Sequence, residues 1–133
     1  MAVDFRLREF LIRGTIIMHL NFPCRNSGLP IIRKDEFDDL AKQILYEYMP
    51  DVLDSPKAVD IRYLAEECIV VDIREEKLCL ENILGFITFA DMVIPISDNK
   101  EIEVSEGTIV LDVRLHYKMT RWRFTVAHEL AHW

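Results

Sequence analysis

The stretch Arg121-Trp-Arg-Phe-Thr-Val-Ala-His-Glu-Leu-Ala-His132 is the part of the sequence that decides the fold. It carries good helix formers and no proline or glycine, and we take Thr120 as its N-cap residue. The sequence therefore predicts a helix over residues 121–133. Four apolar side chains are expected to bury this helix against a sheet, namely Phe124, Val126, Leu130 and Trp133.

A metal-binding pattern lies within this predicted helix. His128 and His132 are four residues apart, so their imidazoles lie on one helical face and can bind one Zn²⁺ ion. Glu129 lies about 100° further round the helix, where it can take a proton from zinc-bound water and relay it to a leaving amine. The motif predicts a zinc peptidase site, with His128 and His132 as metal ligands and Glu129 as the catalytic base. The alternative is that both histidines are solvated on an exposed face.

The composition limits the classes of protein to which the chain can belong. Its 133 residues, 50% apolar and 29% charged, suffice for one domain with a hydrophobic core. A net charge of −7 argues against direct nucleic-acid binding. Three cysteines without a C-x-x-C pair are typical of a reducing compartment. No stretch reads as a signal peptide or a membrane span, so we expect a cytoplasmic protein with no membrane partner.

The rest of the chain shows helical periodicity first and strand-like composition later. Apolar residues from Asp35 follow one helical face until Pro50, and Ser55-Pro56 marks the start of a second helix that runs to Cys68. Thr108–Asp112 and two earlier segments read as strands. Those segments are Ile69–Ile73 and the run from Lys77 to Ile96, with turns at 97–100 and 106–107 and a bulge expected at Gly85.

This order of elements predicts an α+β fold. The N-terminal helices are expected to pack on one side of a small, mostly antiparallel sheet, which the active-site helix follows. Residues 1–33 show no clean period, and we treat them as an N-terminal extension of uncertain order. Residues 34–133 are expected to form the metallopeptidase domain.

The final helix resembles the active-site helix of the ImmA/IrrE metallopeptidases, whose signature is Arg-Phe-Thr-x-Ala-His-Glu-Leu-Gly-His. The resemblance covers about residues 34–133, and Ala131 stands where that family more often has glycine. It implies a minimal zincin-like fold, a Zn²⁺ cofactor, and a cytoplasmic bacterial or mobile-element protein. It also implies a protein substrate, which in this family is often a helix-turn-helix repressor.

The third zinc ligand is not assigned by the motif. A catalytic zinc normally takes three protein ligands, and in the family the third is an acidic residue on a later helix. We therefore expect that ligand downstream of Trp133, in a protein of which this chain is a C-terminally truncated part. The last turn, without following residues, is expected to fray and to orient His132 poorly. His116 is the other candidate ligand, although a solvated loop histidine is the simpler expectation.

The sequence leaves two alternative functions open, and it does not decide the role of two arginines or the strand to which a substrate adds. The chain can be a non-catalytic module that keeps the fold and binds a regulator, or a structural domain with an accidental motif. Arg121 and Arg123 oppose the helix dipole and lie either on a solvated face or at a substrate contact. A substrate is expected to add as a strand at the sheet edge nearest the helix, along Thr108–Asp112 or within 83–90.

Overall fold

A computed structural model of the chain describes residues 7–12, 15–21, 23, 25–27 and 30–133; for 7–12 and 15–21 it describes the backbone alone. The chain divides into two compact units, Met1–Val59 and Asp60–Trp133. The division into residues 1–33 and 34–133 stays a prediction. Within the described part of the chain, no helix combines the length and hydropathy that a membrane crossing requires.

The first unit contains a hairpin and two helices. Strands β1 (Leu7–Ile12) and β2 (Thr15–Asn21) pair antiparallel, in a region for which the sequence predicted no element. A 3₁₀ turn leads into helix α1 (Phe37–Tyr48), as the periodicity predicted. Pro50 then serves as the N-cap of the short helix α2 (Asp51–Asp54), where its missing N–H costs nothing.

The second unit opens with a helix that begins later than predicted. Asp60 is the N-cap of helix α3 (Ile61–Tyr63), since its carboxylate accepts a hydrogen bond from the Tyr63 N–H at 3.0 Å. The start predicted at Ser55-Pro56 is therefore wrong. The helix continues as a π-helical turn over Leu64–Ile69 and ends at Val70, whose φ of 62° is left-handed. Because of this ending, the next strand begins at Asp72, three residues after the predicted start at Ile69.

A three-stranded mixed sheet forms the centre of this unit. Strand β7 (Thr108–Asp112) lies between β3 (Asp72–Glu76), which is parallel to it, and β4 (Gly85–Ile87), which is antiparallel. Every residue of β7 is buried. The strand predicted at 108–112 is confirmed, and so is the α+β class. The central sheet is mixed rather than mostly antiparallel, because β3 reaches β7 by a crossover.

A second, two-stranded sheet precedes β7 in the chain. Strands β5 (Met92–Ser97) and β6 (Lys100–Val104) pair antiparallel through the predicted turn at 97–100. The predicted turn at 106–107 is also confirmed, and Gly107 adopts a φ of +72° there. Of the run 77–96, only β4 and most of β5 are strands.

Residues 77–84 form no strand and are held largely by an ion pair between the buried Asp112 and the half-exposed Arg114. The Asp112 carboxylate, 1% exposed, accepts hydrogen bonds from the Leu78 N–H at 3.0 Å and from Arg114 Nε at 2.7 Å. The Arg114 guanidinium also donates to the carbonyl oxygens of Leu80 and Ile83. Burial alone would raise the pKa of Asp112, but the hydrogen bonds and charge of Arg114 hold it below its usual value. The carboxylate thus stays ionised and anchors the run that leads into β4.

Candidate metal centre

Helix α4 (Met119–His132) carries the predicted metal ligands, and the helix itself is confirmed. Its N-cap is Lys118, so the predicted cap at Thr120 is wrong. The helix is held to the sheet by an apolar stripe of which Trp122 and Val126 are buried. These side chains share a core cluster with Ala65, Val71, Ile109, Leu111 and Leu115.

Gly85 permits helix α4 to lie close against strand β4. A Cβ atom at this position would lie 2.9 Å from Thr125 Cγ2, closer than real Cβ atoms come, and 3.0 Å from Leu111 Cδ2, which is also unusually close. The register between β4 and β7 is regular, so Gly85 marks a close approach and not the bulge that the sequence suggested. This contact sets the position of α4 along the edge of the sheet.

The two histidines of the motif converge on one point in space. Their Nε2 atoms are 3.2 Å apart and their ring centroids 4.9 Å apart, with both side chains exposed. Two Zn–N bonds of about 2.0–2.1 Å at a tetrahedral angle would place the nitrogens about 3.3 Å apart. His128 and His132 therefore fit a shared zinc ion. At the same distance one ring nitrogen can instead donate a hydrogen bond to the other.

The motif lies on the side of α4 that faces strand β4. Arg121, Thr125, His128 and His132 follow the spacing i, i+4, i+7 and i+11 of one helical stripe, with Glu129 beside it. Thr125 is the member of this stripe that would meet a Cβ on Gly85. The imidazoles and the half-buried Glu129 thus lie alongside the sheet edge, where a bound peptide can reach them.

The last turn of α4 is packed, which the sequence did not indicate. The Trp133 ring lies 3.2 Å from where a Cβ of Gly107 would be, and it stacks on Phe89 with ring centroids 5.9 Å apart. The Trp133 N–H also donates to the Leu130 carbonyl. The turn that carries His132 is therefore held against the sheet rather than unsupported.

His116 does not join the two motif histidines. Its Nδ1 lies 3.5 Å from Glu75 Oε2, and the Trp122 indole donates to the other oxygen of the same carboxylate at 3.3 Å. His128 is six residues beyond Trp122, or about 9 Å further along the helix axis. Among the residues with described side chains, no group of three His, Cys, Asp or Glu is placed to hold a metal ion. The side chain of His19 lies outside that set, and a third ligand downstream of Trp133 stays a prediction.

Strand β4 is the sheet edge beside the motif. The other strand predicted to accept a substrate, Thr108–Asp112, is the central strand β7, so that half of the prediction is wrong. The main-chain groups of Leu84 and Thr88 bond to β7, at 2.8 Å and 3.1 Å. Because these groups alternate along a strand, those of Gly85 and Ile87 point away from β7. A peptide strand can therefore pair with them.

Comparisons of the chain with protein-family models, with curated proteins and with solved structures find no match. The decisive features are the two convergent imidazoles, the adjacent carboxylate of Glu129, and the edge strand beside them.

Proposed function

We propose that this chain carries the active-site helix of a zinc-dependent endopeptidase that hydrolyses peptide bonds in a protein substrate. The 3.2 Å separation of the His128 and His132 Nε2 atoms on one helix supports this proposal most directly. The resemblance to the ImmA/IrrE family adds a zincin-like fold, an acidic third ligand after Trp133, and a helix-turn-helix repressor as the substrate.

Each group of the site has a chemical role in this proposal. His128 and His132 would hold Zn²⁺, which when bound supplies Lewis acidity that activates water and polarises a peptide carbonyl. Glu129, half-buried beside them, accepts a proton from the attacking water and passes it to the leaving amine. The outward main-chain groups of Gly85 and Ile87 hold the peptide extended alongside these side chains.

Zinc binding by the 133-residue chain is the first test. His128→Ala and His132→Ala are each expected to abolish stoichiometric zinc uptake, measured by competition with a chromogenic chelator, because each removes one of two imidazole ligands. His116→Ala is the matched control and should bind zinc as the unmodified chain does. If His116→Ala loses zinc while His132→Ala retains it, the assigned ligands are wrong.

Cleavage is the second test, made in a chain that also supplies an acidic third ligand. Glu129→Gln should retain zinc and lose cleavage of a peptide library followed by mass spectrometry, because an amide cannot accept the proton of water. Unchanged cleavage by Glu129→Gln would refute its role as base. Zinc binding with no Glu129-dependent cleavage of any peptide would favour the non-catalytic, regulator-binding module.

A further inference from the structure

A cavity of about 320 Å³ lies beside the start of helix α4. One wall is formed by the residues that lead into strand β4, and the other by the loop before α4 and its first turn. The side chains that line it include those of Glu81, Asn82, Leu84, Arg114, Lys118 and Arg121. All belong to the second unit.

The cavity concentrates positive charge in an acidic protein. Three cations line it against one carboxylate, whereas the whole chain has a net charge of −7. Arg114 is paired with Asp112, but Lys118 and Arg121 form no ion pair with any carboxylate in the described part of the chain. Both also lie at the positive end of the α4 dipole, where cations disfavour the folded state. A bound anion would offset this unfavourable charge.

The residues that line the cavity adjoin those of the proposed substrate surface along the chain and along helix α4. Leu84, in its wall, directly precedes the outward-facing Gly85 of strand β4. Arg121 belongs to the same helical stripe as His128 and His132, and Thr125 places that stripe against Gly85. A peptide paired with β4 would thus pass from the metal ligands at one end to the cavity at the other.

We infer that this cavity binds the carboxylate of an aspartate or glutamate in the peptide substrate. The inference rests on the proposed peptidase function and names the kind of substrate that the site selects. Along the helix axis, Arg121 is about 10 Å from His128 and Lys118 about 21 Å from His132. An extended peptide spans about 3.3 Å per residue, so the acidic residue lies about three to six residues from the cleaved bond.

The test measures peptide binding to the full chain without zinc. The probe is an acetylated and amidated peptide of alternating valine and threonine with one glutamate, titrated into isotope-labelled protein and followed by amide chemical shifts. Its matched control replaces that glutamate with glutamine. We expect the glutamate peptide to bind about two- to five-fold more tightly, as an exposed ion pair allows, and to shift the amides of Leu84, Gly85 and Arg121. This preference should decrease as salt is added.

Substitutions in the cavity test whether the preference for the glutamate peptide arises there. Lys118→Gln and Arg121→Gln should each reduce the preference for the glutamate peptide, whereas Lys77→Gln, which removes an exposed cation outside the cavity, should retain it. Glu81→Gln should strengthen it, because the substitution removes the one carboxylate that lines the cavity. A change of opposite sign at Glu81 and Arg121 is not expected from a general loss of folding.

Equal binding of the two peptides by the unmodified chain would overturn the inference, as would a preference that survives both Lys118→Gln and Arg121→Gln. Inorganic phosphate is the competing probe. If it shifts the cavity amides while neither peptide does, the site takes a free anion and the inference is wrong. Since the measurement needs neither zinc nor cleavage, its failure leaves the peptidase proposal standing. A chain that prefers the glutamate peptide but binds no zinc would overturn the peptidase proposal alone.

Discussion

Replacement of Asp112 by asparagine should destabilise the chain, because it removes the buried carboxylate whose ion pair with Arg114 anchors residues 77–84. The carboxylate accepts from the Leu78 N–H and from three nitrogen atoms of Arg114. An asparagine amide keeps one acceptor oxygen and turns its NH₂ group toward the remaining donors. Removing one partner of a buried pair costs about 3–5 kcal/mol, but Arg114 is 49% exposed and can be rehydrated. We therefore expect a loss of about 2 to 3 kcal/mol.

The pH dependence of this loss has a defined sign. Arg114 holds the pKa of Asp112 below its usual value, so the folded state binds a proton less readily at this site than the unfolded chain does. The stabilisation is therefore fully present at pH 7 and is lost as the pH falls below about 4, through the unfolded-state pKa and then the folded-state pKa. The stability difference between the Asp112→Asn variant and the unmodified chain should decrease over that range.

Urea unfolding followed by the fluorescence of the buried Trp122 measures both effects. The control is Asp98→Asn, an exposed residue of the β5–β6 turn, which should change stability by less than about 0.5 kcal/mol. The reasoning is refuted if Asp112→Asn matches this control at pH 7. It is also refuted if the deficit of the variant stays constant from pH 7 to pH 3.

Two other predictions concern the packing of helix α4 against the sheet. Gly85→Ala should destabilise by about 1–3 kcal/mol through overpacking, and Thr125→Ser, which removes the opposing methyl group, should recover part of that loss in a double-mutant cycle. A fully additive cycle would contradict the contact. Trp133→Ala should accelerate amide hydrogen exchange in the last turn of α4, because the stacking on Phe89 is lost. Phe124→Ala, at a position 71% exposed, serves as its control, and equal exchange in the two variants would contradict this packing.

The elements that the sequence predicted correctly depend on local information. Helix α4 has helix formers, no glycine or proline, and a buried stripe at helical spacing, so its existence and the convergence of His128 and His132 follow from the chain alone. Helix α1 and the turn at Gly107 were predicted for similar reasons. Each of these features is decided within a few residues.

The features that the sequence missed depend on contacts between distant residues. Residues 77–84 have strand-like composition but bond to Asp112 and Arg114, which lie about thirty residues later. The parallel pairing of β3 with β7 likewise joins segments far apart in the chain. The cavity beside α4 needs Arg114 and Lys118 to meet residues 81–84, so no local pattern could have indicated it.

The open edge of strand β4 has a consequence for self-association. An exposed edge that accepts a peptide also accepts the same edge of a second molecule, which is the first step of sheet aggregation. Strand β4 has only three residues, and only Gly85 and Ile87 present main-chain groups outward. At about 0.5–1.5 kcal/mol for each hydrogen bond, these few contacts alone would join two molecules only weakly. We therefore expect self-association through this edge to be weak and reversible.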